Sequence, residues 1–328
     1  MNVMVTGGAG YIGSHTVREL ENNGHQVLVL DNLSRGHQAA VAETFLIEGD
    51  TSDRELLKQL FTDFEIDAVM HFAASSQVGE SVRLPSDYYQ NNLVNGLNLM
   101  NAMLESRVRH LVFSSTAAVY GEPREVPIPE AHPTNPTNPY GATKLALEGA
   151  MRWYGEAYGL RWTSLRYFNA AGADPAGDIG EDHTPETHLI PLVLKVALGE
   201  LPHLEVYGND YATPDGTCVR DYIHVNDLAQ AHVLALDALA DGAPPSAYNL
   251  GNGSGYSVLE VIRTAEEVVG KTLPVKFAAR RPGDPAMLVA GSDKIKSELG
   301  WQPAYPGLKD IIETAWRWHL GHPRGFEK

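Results

Sequence analysis

One cysteine, Cys218, in 328 residues leaves no partner for an internal disulfide and no thiol set for a metal. A lone thiol of this kind reads as a small apolar filler. Positive charge is also scarce: 25 Lys and Arg stand against 41 Asp and Glu, a formal charge of −16. A general polyanion binder needs surplus cations, so nucleic acid is excluded as a partner. No run approaches the ~20 consecutive apolar residues of a membrane span. The opening M-N-V-M-V-T-G-G carries no basic leader, so a cytoplasmic chain without signal or transit peptide is expected. What is present is ordinary globular material, 43% hydrophobic and 20% charged, able to bury a large core in one large domain or two intimate ones.

Val3–Thr6 is a short apolar run ended by glycine, and helical spacing follows in Ile12, Val17 and Leu20. Gly7, Gly10 and Gly13 punctuate this strand–turn–helix as G-x-x-G-x-x-G. Such a turn lets backbone N–H groups approach a pyrophosphate at the positive end of a helix. A second strand, Val27–Leu30, ends at Asp31, 18 residues after Gly13. A carboxylate there accepts ribose hydroxyls and repels a 2′-phosphate, which favours NAD over NADP. Ser52-x-x-Glu55 reads as a capping box. The strand Ala68–Phe72 runs into Ala73 and Ala74, and strand ends of a doubly wound sheet are where ligands collect, so Asp50, Thr51, Phe72, Ala73 and Ala74 are candidate cofactor contacts.

Helical residues from about 87 to 105 precede the strand Leu111–Phe113, which delivers Ser114, Ser115 and Thr116 at its end. A loop rich in Pro, Thr and Asn, 123–139, leads to Tyr140-Gly-Ala-Thr-Lys144 at the start of a helix. Four residues apart, Tyr140 and Lys144 share a face. Tyrosine at a pKa near 10 is about 3 units, or ~4 kcal/mol, from being a base at neutral pH. An ammonium ~5 Å away at an effective dielectric of ~20 supplies on the order of 3 kcal/mol of that. Positive charge on the nicotinamide of a bound NAD⁺ would supply the rest, and together they can form a tyrosinate general base.

T-G-G-A-G-Y-I-G-S-H, Y-G-A-T-K, R-Y-F-N-A-A-G (166–172), R-D-Y-I-H-V-N-D-L-A (220–229) and R-R-P-G-D (280–284) resemble the extended short-chain dehydrogenase/reductases over nearly the whole chain. H-F-A-A-S-S-Q-V-G-E-S (71–81) and Y-G-N-D-Y (207–211) are similar to the UDP-hexose 4-epimerase branch. The resemblance implies an isomerase that holds NAD tightly and interconverts UDP-glucose and UDP-galactose through a 4-keto intermediate. Tyr140 would act as base, Lys144 would lower its pKa, and Thr116 would bond the same sugar hydroxyl. Further implied cofactor contacts are Tyr11, Ile12, Asn32, Asn91, Ser114 and Phe168. Implied substrate contacts are Asn169, Leu189, Val206, Tyr207, Arg220, Tyr222, Arg281, Asp284 and Leu288, with Arg220 and Arg281 suited to a diphosphate. A homodimer is implied from helices near 87–105 and 140–158, where Leu93, Leu97, Met100, Leu147 and Met151 serve either that interface or the packing of the helices on the sheet.

Three positions depart from the family pattern. Ser76 stands in place of a lysine near the nicotinamide ribose, and His188 in place of an asparagine. Leu288 is intermediate between the tyrosine of glucose-only members and the small residues that admit N-acetyl sugars, so some turnover of UDP-N-acetylglucosamine is expected. Among rival readings, a 4,6-dehydratase needs an Asp-Glu pair after the hydroxyl residue, where Ala117-Ala118 stand. A non-catalytic NAD-binding scaffold would typically lack the Tyr or Lys. Glu181, Asp182, His183, Glu186 and His188 suggest a metal, but the helical His-Glu-x-x-His spacing is absent and Pro185 interrupts the run, so the segment reads as a polar loop. His71 and His224 read as satisfied core residues, and no G-x-S-x-G elbow marks a hydrolase.

Alternating strand and helix signals predict an α/β, doubly wound parallel sheet of Rossmann type with a second, smaller α/β substrate lobe. The expected division is a NAD-binding part at 1–168, with a return segment near 217–245, and a nucleotide-sugar lobe at 169–328. Ser257-x-x-Glu260 caps a helix in the latter.

Overall fold

The computed structural model describes residues 1–281 and 284–326. Pro282 and Gly283, the middle of the R-R-P-G-D turn, lie outside the described residues. Short β-branched and apolar runs form a seven-stranded parallel sheet: β1 (Asn2–Thr6), β2 (Gln26–Asp31), β3 (Phe45–Glu48), β4 (Ala68–His71), β5 (His110–Thr116), β6 (Arg161–Tyr167) and β7 (Ser246–Leu250). Their spatial order is β7-β6-β5-β4-β1-β2-β3. The order reverses between β1 and β4, which opens a crevice at their carboxyl ends.

Both faces are covered, as a parallel sheet requires. Val3 and Val5 point to one side and Met4 to the other, the period-2 alternation of a strand. On the first side α1 (Tyr11–Asn22) packs with the helix Val225–Ala240, burying Val17 and Leu20 with Leu228 and Leu236. On the second lie α2 (Arg54–Asp63), α3 (Asn95–Glu105) and α4 (Pro139–Tyr158). Met100, Leu147 and Met151 are buried there against the sheet, which corrects their assignment to a subunit interface.

Two local expectations also change. Asp53, not Ser52, caps α2, its carboxylate accepting from Leu56 N at 2.9 Å. The helix expected from 87 to 105 is interrupted by a π-helical segment, Tyr89–Val94. By contrast, the Ser257–Glu260 capping box forms with both hydrogen bonds. His71 bonds Thr6 Oγ1 at 2.7 Å and His224 bonds Thr314 Oγ1 at 2.9 Å, both buried as read.

The later chain builds a second cluster from the helices Leu189–Leu198, Val258–Val269 and Leu308–Gly321. With it go small strand sets, among them Leu204–Tyr207 beside Val275–Ala278 and Val219–Arg220 between Tyr256–Ser257 and Met287–Leu288. No helix among the described residues is long and apolar enough to cross a membrane.

Candidate active site

The turn after β1 is shaped for close backbone approach. Gly7 has φ +74°, and a Cβ there would fall 2.5 Å from the Ala73 nitrogen. A Cβ on Gly13 would fall 2.2 Å from the Gly7 carbonyl, so neither position accepts a side chain. At the end of β2, Asp31 accepts Ala9 N at 3.0 Å and Leu33 N at 2.8 Å, which leaves carboxylate lone pairs for hydroxyl donors. Burial pushes its pKa up. Asn32 donates to Asp50 at 2.5 Å, and Asp50 also accepts Ser52 N, with Thr51 buried beside it. Phe72 and Ala73 donate their backbone N–H groups to Thr6 O and close the other side, where Ala74 is partly buried. Tyr11 donates to the Gly172 carbonyl at 2.6 Å, and Ile12 packs on the first core cluster.

On the far side of the crevice, Asn138 caps α4 by accepting Gly141 N, and Pro139 presets its first turn. Tyr140 and Lys144 therefore emerge on consecutive turns, both buried beneath the end of β5. The Lys144 ammonium donates to the Ser114 carbonyl at 2.8 Å and lies 4.8 Å over the Phe113 ring. Burial lowers its pKa to about 7, with Glu148 opposing. Burial raises the Tyr140 pKa, and the Thr116 hydroxyl opposes that rise. The sequence-based expectation assigns this opposing role to Lys144. With the ammonium held by the Ser114 carbonyl, the counteracting group in this structure is Thr116. Ser114 Oγ shares a 2.6 Å hydrogen bond with Tyr167 Oη.

The chain leaving β6 passes through Phe168, packed beside Tyr120 and Leu288, and reaches a cavity of about 480 Å³. Asn169, Leu189, Val206, Tyr207, Arg220, Tyr222, Arg281 and Asp284 all line it. Tyr140, Thr116 and Leu288 do not. Arg220 pairs with Asp284 and donates to the Val219 carbonyl. Arg281 stacks over Tyr207 at 4.1 Å, whereas Arg280 turns away to Asp210 and Tyr211. Of that arginine pair, Arg281 faces the cavity.

Several groups escaped sequence reasoning. Asn92, next to the expected Asn91, exchanges hydrogen bonds with Ser75 N and O at 2.8 and 2.9 Å and so fixes the loop that carries the exposed Ser76. Asn91 donates to the Ser75 hydroxyl at 3.3 Å and to Asn92 Oδ1 at 3.2 Å. Behind Lys144, the Glu148 carboxylate takes Arg166 Nη2 at 2.5 Å and Nε at 3.0 Å, plus Ser115 and Ser164 hydroxyls. Arg166 continues to Tyr120, and Tyr120 to Asn249. The spacing Tyr140, Lys144, Glu148 is the signal that could have found this group.

The chain as a whole has counterparts among known proteins. The model of the NAD dependent epimerase/dehydratase family matches residues 3–251. The chain belongs to that family. A UDP-glucose 4-epimerase of Halalkalibacterium halodurans is 55% identical over 99% of this chain and 98% of its own. A solved UDP-glucose 4-epimerase matches with TM-score 0.98 at 52% identity, all of both chains covered. The Bifidobacterium longum enzyme, solved with NAD⁺ and UDP, gives TM-score 0.95 at 43% identity over 99% of this chain and all of its own.

Glu181, His183, Glu186 and His188 converge although no helix spaces them, while Asp182 turns away to His37 and Phe326 N. Against the lowering effect of burial, the two carboxylates hold His183 up to about 9 and raise His188 well above the usual imidazole range.

Proposed function

We propose that the protein interconverts UDP-glucose and UDP-galactose by transient oxidation at sugar C4, with NAD held throughout the cycle. One observation carries this reading: Tyr140, Lys144 and Thr116 meet at the end of β5, across from a glycine cradle and next to a cavity bearing Arg220 and Arg281. The names of the relatives support it, as does the fit of Gly7, Gly13 and Asp31 to a dinucleotide. The turn offers backbone N–H groups to a pyrophosphate and Asp31 offers a carboxylate to a ribose. NAD, when bound, supplies the hydride acceptor and donor for C4.

The chain's own groups do the rest. Tyr140 takes the proton of the 4-hydroxyl as C4 is oxidised and returns it as C4 is reduced. Thr116 holds the same oxygen. Lys144, its ammonium held by the Ser114 carbonyl, would supply positive charge at this end of the site and would bond the nicotinamide ribose. Arg220, kept in place by Asp284, and Arg281, stacked on Tyr207, grip the diphosphate. Anchoring there leaves the hexose free to turn and present its other face. Ala117 and Ala118 carry no proton-transfer group, which argues against dehydration.

In this reading residues 1–168 with the returning segment through Leu250 hold NAD, and the later residues hold the nucleotide sugar. The chain works as a cytoplasmic homodimer, with Tyr89, Val94 and Trp153 on the π-helical segment and α4 as its exposed apolar contact.

Purified protein incubated with UDP-galactose and no added cofactor should form UDP-glucose. Tyr140→Phe should keep its NAD and lose a factor of about 10²–10⁴ in rate. NAD-loaded protein that converts no 4-epimeric pair would leave the non-catalytic scaffold in its place.

A further inference from the structure

We propose that Glu181, His183, Glu186 and His188 bind one divalent transition-metal ion of the zinc type, as a structural clasp between the two halves of the site. One ligand atom from each residue lies within 4.8 Å of all the others. The nitrogen–oxygen separations are 3.1 Å for His183 Nδ1 to Glu181 Oε1 and 3.7 Å to Glu186 Oε2. For His188 Nδ1 they are 2.7 Å to Glu181 Oε1 and 3.0 Å to Glu186 Oε1. Four ligands at about 2.0–2.1 Å from a tetrahedral Zn²⁺ stand roughly 3.3 Å apart, in the middle of this range.

Hydrogen counting favours an ion over a bare ion-pair cluster. Each Nδ1 carries at most one hydrogen, yet each faces both carboxylates, so two donors serve four contacts. A central cation satisfies all four at once. Two carboxylates and one divalent ion are neutral together, which suits a site where Glu181 and Glu186 are nearly inaccessible. Two imidazoles and two carboxylates form a borderline donor set of the kind zinc takes.

The ligands are themselves held. Glu186 Oε1 accepts the backbone N–H groups of Thr187 and His188 at 2.6 and 2.7 Å. Trp318 Nε1 donates to the Glu181 carbonyl at 3.2 Å. Such outer contacts fix ligand orientation. A cavity of about 200 Å³ touches Glu181, His183 and Glu186 from outside and gives an ion a way in.

The position tells what the ion would do. Glu181 and His188 also line the larger cavity, and the His183 ring lies 6.2 Å from that of Tyr11 at the start of α1. An ion here would tie the 181–188 loop at once to the nucleotide-sugar wall and to the turn that receives the cofactor. It touches no reacting atom, so its effect is on positioning and stability.

The test uses the NAD-containing protein loaded with Zn²⁺ or Co²⁺ and then desalted. About one ion per chain should remain by elemental analysis, and the Co²⁺ form should show the intense visible bands of four-coordinate cobalt. Zn²⁺ should raise Tm and a chelator should reverse the rise. The His183→Asn/His188→Asn double variant should lose the ion, the bands and the Tm response; the single His188→Asn variant, at the half-exposed ligand, should weaken binding tenfold or more and keeps the test open should the double variant not fold. Wild-type protein retaining less than about a tenth of an ion per chain would overturn the proposal and leave an ion-pair cluster. Retention by the histidine variants equal to wild type would overturn it as well.

Discussion

Lys144 brings an ammonium into a buried position where it donates to the Ser114 carbonyl and lies over Phe113. Burial sets its pKa at about 7, whereas an unfolded chain leaves it near 10.4. Between those values the unfolded state binds more protons, so the stability of the cofactor-free chain rises with pH across that window, by up to about 1.4 kcal/mol per pH unit. Below about pH 7 the cost of the buried charge is at its full size. Lys144→Met should therefore be more stable than wild type at pH 6.5 in urea titrations, with the gap closing toward pH 10, while activity falls by about 10² or more. A variant less stable at every pH would contradict this. The pair Tyr140 and Lys144 was legible because spacing of four on a helix is a local property. That the ammonium spends its hydrogen bond on Ser114 was not, because that carbonyl lies on a strand 30 residues away in sequence.

At the scale of the element, α4 is the helix on which the chemistry depends. Asn138 caps it, Pro139 starts it and Gly159, at φ 73°, ends it. Its inward face carries Tyr140, Lys144 and Glu148 in successive turns. Glu148 locks the helix to β5 and β6 through Ser115, Ser164 and Arg166. Removing one partner of a buried ion pair leaves the other uncompensated, so Glu148→Gln should cost about 3–5 kcal/mol in urea unfolding. A loss below about 1 kcal/mol would show that the network contributes little. Elements set by local signals were readable: the strands β1, β2, β4 and β5, the glycine turn and the Ser257–Glu260 box. The π-helical stretch at Tyr89–Val94 was not, since the contact of its Asn92 with Ser75 is tertiary. Ser52 was misread as a cap because Asp53, one residue on, reaches the same helix end.

Over the whole molecule, the charge of −16 is compatible with two diphosphates because the binding groups are local. In the proposed function, backbone amides serve one and two arginines the other. The second, smaller lobe was legible only in outline, since its short strands pair across long sequence distances, as Val219–Arg220 does with Tyr256 and Leu288. Of the apolar residues assigned to a dimer surface, Met100, Leu147 and Met151 are core and Leu93 and Leu97 pack partly buried against it, while Trp153, Tyr89 and Val94 stand 59%, 43% and 40% exposed. The π-helical segment and α4 pack on each other, and a contiguous apolar patch there would serve association. Sedimentation should find a dimer at micromolar concentration and a monomer for Trp153→Glu; a monomeric wild type would contradict the assignment.

The central claim is that C4 is oxidised and reduced again within one closed site, with the same hydrogen returned. UDP-galactose carrying deuterium at C4, turned over in ordinary water, measures this directly. The UDP-glucose formed should carry the deuterium still at C4. Product whose C4 deuterium has been replaced from solvent would contradict it.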